Sequence, residues 1–284
     1  MSNNKIALVT GATAGIGKET ARGIAETGAT VIIVGRDQAK GEKVVAELRD
    51  ATRNENIELL VADLFSLAAI RSLAEEFKAK HSRLDILVNN AGAIFDKRET
   101  TVDGFEKTFA LNHLSYFLLT NLLLDVIKQS APARIVSVSS VAHTFAKKID
   151  FDDLQFERKK FSAMGAYGQS KLMNIMFTYE LARRLEGSSV TANCLHPGGV
   201  ASNFADNTGG LIGALAWLFK NTIAITPAKG AETSVYLAVS PAVENVSGKY
   251  FDNKREKESS KISYDESVQK HLWEVSENFV GQKF

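Results

Sequence analysis

A chain of 284 residues, 45% hydrophobic and 24% charged, holds enough apolar material for a sizeable core, which excludes a disordered or low-complexity protein. Thirty-four Lys and Arg against 33 Asp and Glu leave a net charge of +1, so no global field draws the chain to nucleic acid. The lone cysteine, Cys194, can form no internal disulfide, and in the apolar run Val190 to Leu195 it reads as core filler suited to a reducing compartment.

From the start of the chain, Met1 to Thr10 holds one lysine and then a strand-like run, with neither a signal-peptide core nor a membrane-spanning length of apolar residues. A cytoplasmic location is therefore expected. Short β-branched runs bounded by Gly or Asp predict strands at Lys5–Thr10, Thr30–Val34, Ile57–Ala62, Leu84–Asn89, Ala133–Ser139, Val190–Leu195 and Lys249–Asp252. Helical periodicity predicts crossover helices near Ile16–Glu26, Asp37–Arg53, Ser66–Lys80, Thr101–Lys128, Tyr167–Leu185 and Pro227–Val239. This alternation implies an α/β chain: a doubly wound parallel sheet of about seven strands with helices on both faces. The strands are almost continuously apolar, as burial on both faces requires. No linker or repeat divides the sequence, so residues 1–284 read as a single domain. Two stretches break the rhythm, a substrate-side insert at 145–166 and a lid at 198–226. Both follow carboxyl ends of strands, where such sheets bind ligands.

The first strand runs into Thr10-Gly11-Ala12-Thr13-Ala14-Gly15-Ile16-Gly17 and then a helix. Glycines let backbone approach a pyrophosphate, and the helix N-terminus favours its charge. Gly11, Thr13, Ala14, Gly15, Ile16 and Gly17 are accordingly the candidate phosphate turn of a Rossmann-type dinucleotide site. An NAD site places an acid at the end of the second strand, to bind the ribose 2′-hydroxyl. Here Gly35-Arg36 stands in that place, and a guanidinium can bind a 2′-phosphate, so NADP(H) is expected. Lys18 is a looser candidate for the same end. Asp63, ending the third strand, suits an adenine amino group or a helix cap. Asn89-Asn90-Ala91-Gly92, ending the fourth, combines two amides with small residues where a ribose would lie, with turn chemistry as the alternative. Asn89, Ala91 and Gly92 are taken as cofactor residues. No metal is expected.

Tyr167-Gly168-Gln169-Ser170-Lys171 places a phenol and an ammonium four residues apart, on one face of a helix. A nearby cation favours the phenolate, the perturbation that an acid/base tyrosine needs. Ser139-Ser140, ending the fifth strand, points toward the same cleft.

With these elements in order, the chain resembles the short-chain dehydrogenase/reductase family over almost its whole length. The family's glycine turn is matched by Thr10 to Gly17, its Asn-Asn-Ala-Gly element by Asn89 to Gly92, and its active-site Asn by Asn112. Its serine is matched by Ser140, which is followed by the apolar Val141, its Tyr-x-x-x-Lys by Tyr167 and Lys171, and its Pro-Gly element by Pro197 and Gly198. The resemblance implies that Tyr167 transfers a proton, Ser140 hydrogen-bonds the carbonyl oxygen and Lys171 holds the nicotinamide ribose, with Asn112 supporting a water relay to the lysine. Within the family, Gly104 to Glu106, Asn112 to Leu114, Ala131 to Arg134, His196 to Gly198, Ser247 to Phe251 and Leu272-Trp273 are similar to the retinol dehydrogenase-like branch that also holds WW-domain oxidoreductases. That branch implies NADP(H) and a lipophilic carbonyl or alcohol such as retinal or retinol, or a steroid. It often carries an N-terminal hydrophobic anchor; without one here, a broad carbonyl reductase fits as well.

The apolar run Leu211 to Phe219 admits three readings: a lid over a greasy substrate, packing on its own core or on a second subunit of a homo-oligomer, or shallow peripheral membrane contact. Phe145, Phe151, Phe156 and Phe161 admit the first two. Two other functions compete. An NADP-sensing binding protein would need the phosphate turn and not Ser140, Tyr167 and Lys171. A sugar-nucleotide epimerase usually carries a different glycine spacing from Gly11, Gly15 and Gly17.

Overall fold

The computed structural model describes residues 5–199 and 225–284. The elements follow in the order β1 (Ile6–Thr10), α1 (Gly15–Ala25), β2 (Thr30–Gly35), α2 (Gln38–Thr52), β3 (Ile57–Val61), α3 (Leu67–Lys80) and β4 (Ile86–Asn89). A short α4 (Lys107–Phe109) passes through a π turn, Ala110–Leu114, into α5 (Ser115–Leu122) and α6 (Leu124–Gln129). Then come β5 (Ala133–Val138), a 3₁₀ turn at Val141–Phe145, α7 (Ala163–Arg184), β6 (Val190–His196), α8 (Pro227–Val239), β7 (Tyr250–Asp252), β8 (Arg255–Lys257) and α9 (Glu266–Val280).

The strands form one sheet in the order β3-β2-β1-β4-β5-β6-β7-β8, all parallel except for the last pair. From β1 the chain winds outward to β2 and β3, then returns across the sheet to β4. Each parallel step needs a crossover, and the helices that supply the crossovers cover both faces. On one face Ile24, Val44, Leu48 and Leu237 from α1, α2 and α8 pack on Val9, Val31, Ile33 and Val88 of the strands. On the other, Ile70, Phe77, Phe117, Met173, Phe177 and Trp273 pack on Leu8, Ile32, Leu87 and Ile135. Alternate residues of one strand thus serve opposite cores, which is why these strands are apolar throughout. By length and apolarity the run Lys107–Gln129 could cross a membrane, but its most apolar window is 83% buried inside the protein.

The sheet gains an eighth strand beyond the expected seven. Arg255–Lys257 turns back antiparallel on β7 through Asn253 and Lys254, both at positive φ. Its three charged side chains are exposed and carry no apolar alternation. The expected helix at Thr101–Lys128 begins only at Lys107, because Glu106 caps it by accepting from the Thr108 and Phe109 N–H groups at 2.7 and 2.8 Å. The expected helix at Tyr167 begins earlier, at Ala163, capped by Ser162 through the Gly165 N–H at 3.1 Å.

An element not expected from the sequence, α9, lies across α5 and α7. Trp273 is 3% exposed; its ring stacks on Phe177 at 5.8 Å, meets Phe117 edge-on at 4.9 Å and carries the Arg184 guanidinium at 4.1 Å. Its indole N–H donates to Glu277 at 3.1 Å. Ser276 donates to the Leu272 carbonyl and so accepts from His113 Nε2 at 2.8 Å; burial pushes His113 down to about 3 and keeps the ring neutral. Trp273→Ala is expected to lower unfolding stability by about 3–5 kcal/mol, the range for emptying a large aromatic site in a core. Urea denaturation checks this, and a loss under about 1 kcal/mol would show that α9 only rests on the surface.

Candidate active site

The strand order reverses between β1 and β4, and their carboxyl ends open a crevice there. The glycine turn leaves β1 at that point. Gly11 and Gly15 have φ of +63° and +55°. A Cβ on Gly17 would lie 2.4 Å from both the Gly11 carbonyl oxygen and Asn90 Nδ2, so only hydrogen fits. Thr10 Oγ1 accepts from the Asn90 and Ala91 N–H groups at 2.9 and 3.1 Å, and Asn90 Nδ2 donates to the Thr10 carbonyl at 2.8 Å. These bonds tie the two strand ends together. Ala91 packs against Gly11, where a Cβ would come within 2.8 Å of the alanine Cα.

Helix α1 starts without a side-chain cap at Ala14 and without an acid in its first turn. By contrast Asp37, Ser66, Ser162, Thr226 and Asp265 cap α2, α3, α7, α8 and α9. Thr13, Ala14, Gly15 and Ile16 surround the uncapped N–H groups and are half-exposed. An uncapped helix N-terminus reached through glycine backbone is an anion site. The residues present fit a dinucleotide pyrophosphate.

At the end of β2, a Cβ on Gly35 would strike the Thr13 methyl at 2.4 Å, so the strand end sits directly beneath the turn. Arg36 follows it and is exposed, and among the described residues nothing pairs its guanidinium. Lys18, in contrast, is engaged with Glu47 at 2.5 Å. Asp63 is exposed and accepts from the Phe65 N–H at 3.1 Å, while Ser66 caps α3. The side chain of Asn89 faces away from the crevice: it is fully buried and donates to Thr120 Oγ1 on α5 at 2.8 Å. Successive strand residues face opposite sides, so it is Asn90 that meets the glycine turn.

The two serines after β5 separate in the same way. Ser139 is buried and donates to the Lys171 carbonyl at 2.8 Å, holding the backbone of α7. Ser140 is half-exposed, accepts from the Ala142 N–H at 3.1 Å, and its hydroxyl is hydrogen-bonded to the Tyr167 phenol. Lys171 Nζ lies 5.6 Å from the centre of the Tyr167 ring and donates to the Val138 carbonyl at 2.9 Å. Asn112 sits in the π turn, where the Ser115 N–H reaches back to Ala110 rather than Leu111; such bulges recur at functional sites. Its amide exchanges bonds with the Ala93 backbone at 3.0 Å and donates to Ser170 Oγ at 3.0 Å; that hydroxyl donates to the Tyr167 carbonyl at 2.8 Å. Gly92 completes the group, since a Cβ there would lie 3.2 Å from Asn112 Oδ1 and 3.3 Å from Lys171 Nζ. Pro197 and Gly198 follow β6 at the same rim, with Gly198 at φ +87°.

Burial sets the proton affinities here. It pushes the Tyr167 phenol up to about 12, the Ser140 hydroxyl pulling the other way, and it pushes Lys171 down to about 7. The net direction at Tyr167 is thus set by enclosure rather than by the lysine, whose ammonium lies over the ring. Desolvation of two enclosed groups outweighs an attraction that is directed at the ring rather than at its oxygen. Of the four insert phenylalanines, Phe151 packs on His271 at 4.3 Å and Phe156 on Phe161 at 5.6 Å. Phe145 stays 63% exposed, with Val141 at 51% and Met164 at 42% beside Ser140 and Tyr167 in the chain. The lid, with its apolar run Leu211 to Phe219, lies outside the described residues apart from its two ends. Thr10, Asn90, Ser170 and His196, which lie within the matched motifs without having been assigned a role, also hold the site, as does His143, which no motif in the sequence marks.

Comparison with known proteins gives the family of the fold that carries this site. The profile of the short chain dehydrogenase family matches residues 5–150. Human retinol dehydrogenase 13 is 43% identical over 98% of this chain and 85% of its own length; human polyprenol dehydrogenase is 42% identical over 98% and 86%. A short chain dehydrogenase of Shigella flexneri 2a, solved with NADP, superposes with a TM-score of 0.70 at 26% identity, covering 89% of this chain and 98% of that one. The chain belongs to the short chain dehydrogenase family, retinol dehydrogenase-like, and is an oxidoreductase that uses a nicotinamide cofactor on CH–OH and C=O groups.

Proposed function

We propose that this protein is an NADP(H)-dependent oxidoreductase of lipophilic carbonyls and alcohols, with Tyr167 as its acid/base. The observation that carries the proposal is the convergence of Ser140, Tyr167 and Lys171, with the Ser140 hydroxyl bonded to the phenol, at the same sheet rim as the uncapped glycine turn.

The bound cofactor supplies or accepts the hydride. The turn Gly11 to Gly17 would receive its pyrophosphate, Lys171 and Gly92 would hold the nicotinamide-proximal ribose, and Asp63 and Ala91 would line the adenosine end. Ser140 donates to the carbonyl oxygen of the substrate. Tyr167, a neutral phenol at neutral pH, gives its proton to the same oxygen as charge develops. Lys171, whose affinity for its proton burial lowers to about 7, restores the proton to Tyr167, while Asn112 holds the Ala93 backbone beside it for the water relay. In the reverse direction, oxidation of an alcohol, the same phenol as phenolate takes the hydroxyl proton.

Arg36, exposed at the end of β2 and unpaired among the described residues, supports NADP(H): the acid that would repel a 2′-phosphate is missing and a guanidinium stands in its place. Arg36→Ala is expected to weaken NADPH by about 10–100-fold, one charge-assisted bidentate contact, and to leave NADH nearly unchanged. Fluorescence titration of both nucleotides checks this, and equal losses would remove the 2′-phosphate assignment. The exposed apolar side chains of Val141, Phe145 and Met164, near Ser140 and Tyr167 in the chain, support a greasy substrate, as do relatives named for retinol and polyprenol. Following NADPH consumption with retinal, steroid ketones and aliphatic or aromatic aldehydes tests the whole reading; turnover confined to small hydrophilic carbonyls would overturn the substrate class.

A further inference from the structure

One peptide group beside the candidate serine is gripped from both edges by imidazoles. The carbonyl of Ser140 faces His143 Nδ1 at 2.6 Å, and the N–H of Val141, the other half of that peptide, donates to His196 Nδ1 at 3.2 Å. The far side of each ring fixes its role. His143 Nε2 accepts the backbone N–H of Ser260 at 3.1 Å, so the proton of the neutral ring is on Nδ1 and points at the Ser140 carbonyl. His196 accepts at Nδ1 and therefore carries its proton on Nε2; it ends β6 opposite Asp252 of β7. His143 is 2% exposed and lies edge-on to Tyr250 at 5.1 Å. The rings come from the turn after β5 and from the end of β6, and Ser260 comes from the segment after β8.

The orientation of this peptide plane sets ψ of Ser140, and with it where the side chain can point. Ser140 is extended, at φ −165° and ψ 156°, and its Oγ accepts from the Ala142 N–H one residue beyond the gripped plane. If the plane turns, the Ser140 hydroxyl moves with it, away from the Tyr167 phenol. A displacement of about 1 Å at such a group can cost on the order of 100-fold in rate.

We propose that His143 and His196 are positioning residues of the acid/base site: together they clamp the Ser140–Val141 peptide so that the Ser140 hydroxyl meets the Tyr167 phenol and the substrate oxygen. The inference rests on the assignment of Ser140 and Tyr167 made above. The clamp requires both rings neutral. A second proton on His143 sets a donor against the Ser260 N–H, and one on His196 sets a donor against the Val141 N–H. Burial lowers the proton affinity of both; for His196, Asp252 raises it and His143 lowers it. The other titratable group against His143 is the Tyr250 phenol, which burial holds neutral. The clamp is therefore closed at neutral pH and opens on acidification.

The test compares His196→Leu and His143→Leu with His196→Asn and His143→Asn, in the full-length protein. Asparagine can offer an acceptor or a donor near the Nδ1 position, whereas leucine offers neither. Measured with retinal, the leucine variants are expected to bind NADPH with the wild-type Kd and to lose kcat by about 10–100-fold, and the asparagine variants to recover most of the loss. Amide exchange of the peptide spanning Val141 should quicken in His196→Leu, a readout independent of turnover. In the wild type, kcat should fall along an acid limb that shifts in the asparagine variants, which lack the titrating ring. Wild-type kcat in the leucine variants, asparagine variants as impaired as the leucine ones, or an unshifted acid limb would each overturn the clamp. If a leucine variant fails to fold, the asparagine pair and the acid limb decide alone. Tyr167→Phe run alongside separates the two levels: an active phenylalanine variant removes the underlying assignment, whereas an inactive one beside unimpaired histidine variants removes only the clamp.

Discussion

Tyr167→Phe is expected to lower kcat by about 10²–10⁴-fold, the usual contribution of a positioned acid/base group, with NADPH affinity nearly unchanged. The asymmetry follows from where the hydroxyl points. It bonds to Ser140, the candidate partner of the substrate oxygen, whereas the contacts expected to hold the nucleotide come from the glycine turn, Arg36 and Lys171. Removing one oxygen leaves the ring in place against Lys171, so the pocket should keep its shape. Stopped-flow reduction of retinal together with fluorescence titration of NADPH measures the two quantities separately. Steady-state rates that survive the substitution would remove Tyr167 from the chemistry, and a parallel collapse of NADPH binding would show that the phenol holds the nucleotide.

Lys171→Met should separate function from stability, and in opposite directions. Turnover is expected to fall by at least about 10²-fold, since the amine that restores the Tyr167 proton is lost. The cofactor-free protein, by contrast, should become more stable at acidic and neutral pH. The sign follows from linkage. Burial lowers Lys171 from 10.5 in an exposed chain to about 7, so between those values the unfolded state binds the extra proton and stability rises with pH. Below pH 7 the ammonium is charged in both states and the full penalty for enclosing it applies. An apolar side chain of similar length removes that penalty, roughly 2–4 kcal/mol near pH 6, less the lost bond to the Val138 carbonyl. The gain should shrink as pH climbs from 7 toward 10. Thermal melts of both proteins across that range check this; a variant that is less stable at every pH would mean that the Val138 bond outweighs the buried charge.

Both expectations concern residues that were already visible in the amino-acid order, and the reason is local. A tyrosine and a lysine four apart on a helix must share a face, and a glycine turn between a strand and a helix must lie at the strand's carboxyl end. What the order of residues did not disclose depends on partners far along the chain. Ser139 and Ser140 are alike as letters, and only the pleat decides that the first anchors α7 while the second reaches the phenol. The same alternation places Asn89 under α5 and Asn90 against the glycine turn. The direction of the Tyr167 shift was hidden because a neighbouring charge can be inferred from spacing, whereas desolvation depends on everything packed around the pair.

Elements were missed for other reasons. Strand β8 is three charged residues, held by its pairing with β7 and by a Lys249–Glu256 bridge at 2.8 Å rather than by any apolar pattern. Helix α9 did leave signals: Asp265 in capping position and Leu272, Trp273, Ser276 and Val280 along one side. Helix α7 began four residues ahead of its expected start because Ser162, not the catalytic motif, supplies the cap. The histidines of the clamp are separated by more than fifty residues and share no spacing rule; their meeting is a product of the β5–β6–β7 order.

The charged antiparallel strand at one margin of the sheet has a consequence for behaviour at high concentration. An open sheet margin offers a row of unmatched amides and carbonyls to any passing extended segment. On Arg255, Glu256 and Lys257 every side chain is ionic and exposed, so an incoming strand would have to strip water from alternating charges before forming a single ladder bond. That margin is a stop against self-templated growth, and replacing its three residues by threonine or valine would favour fibrous association without touching the candidate site.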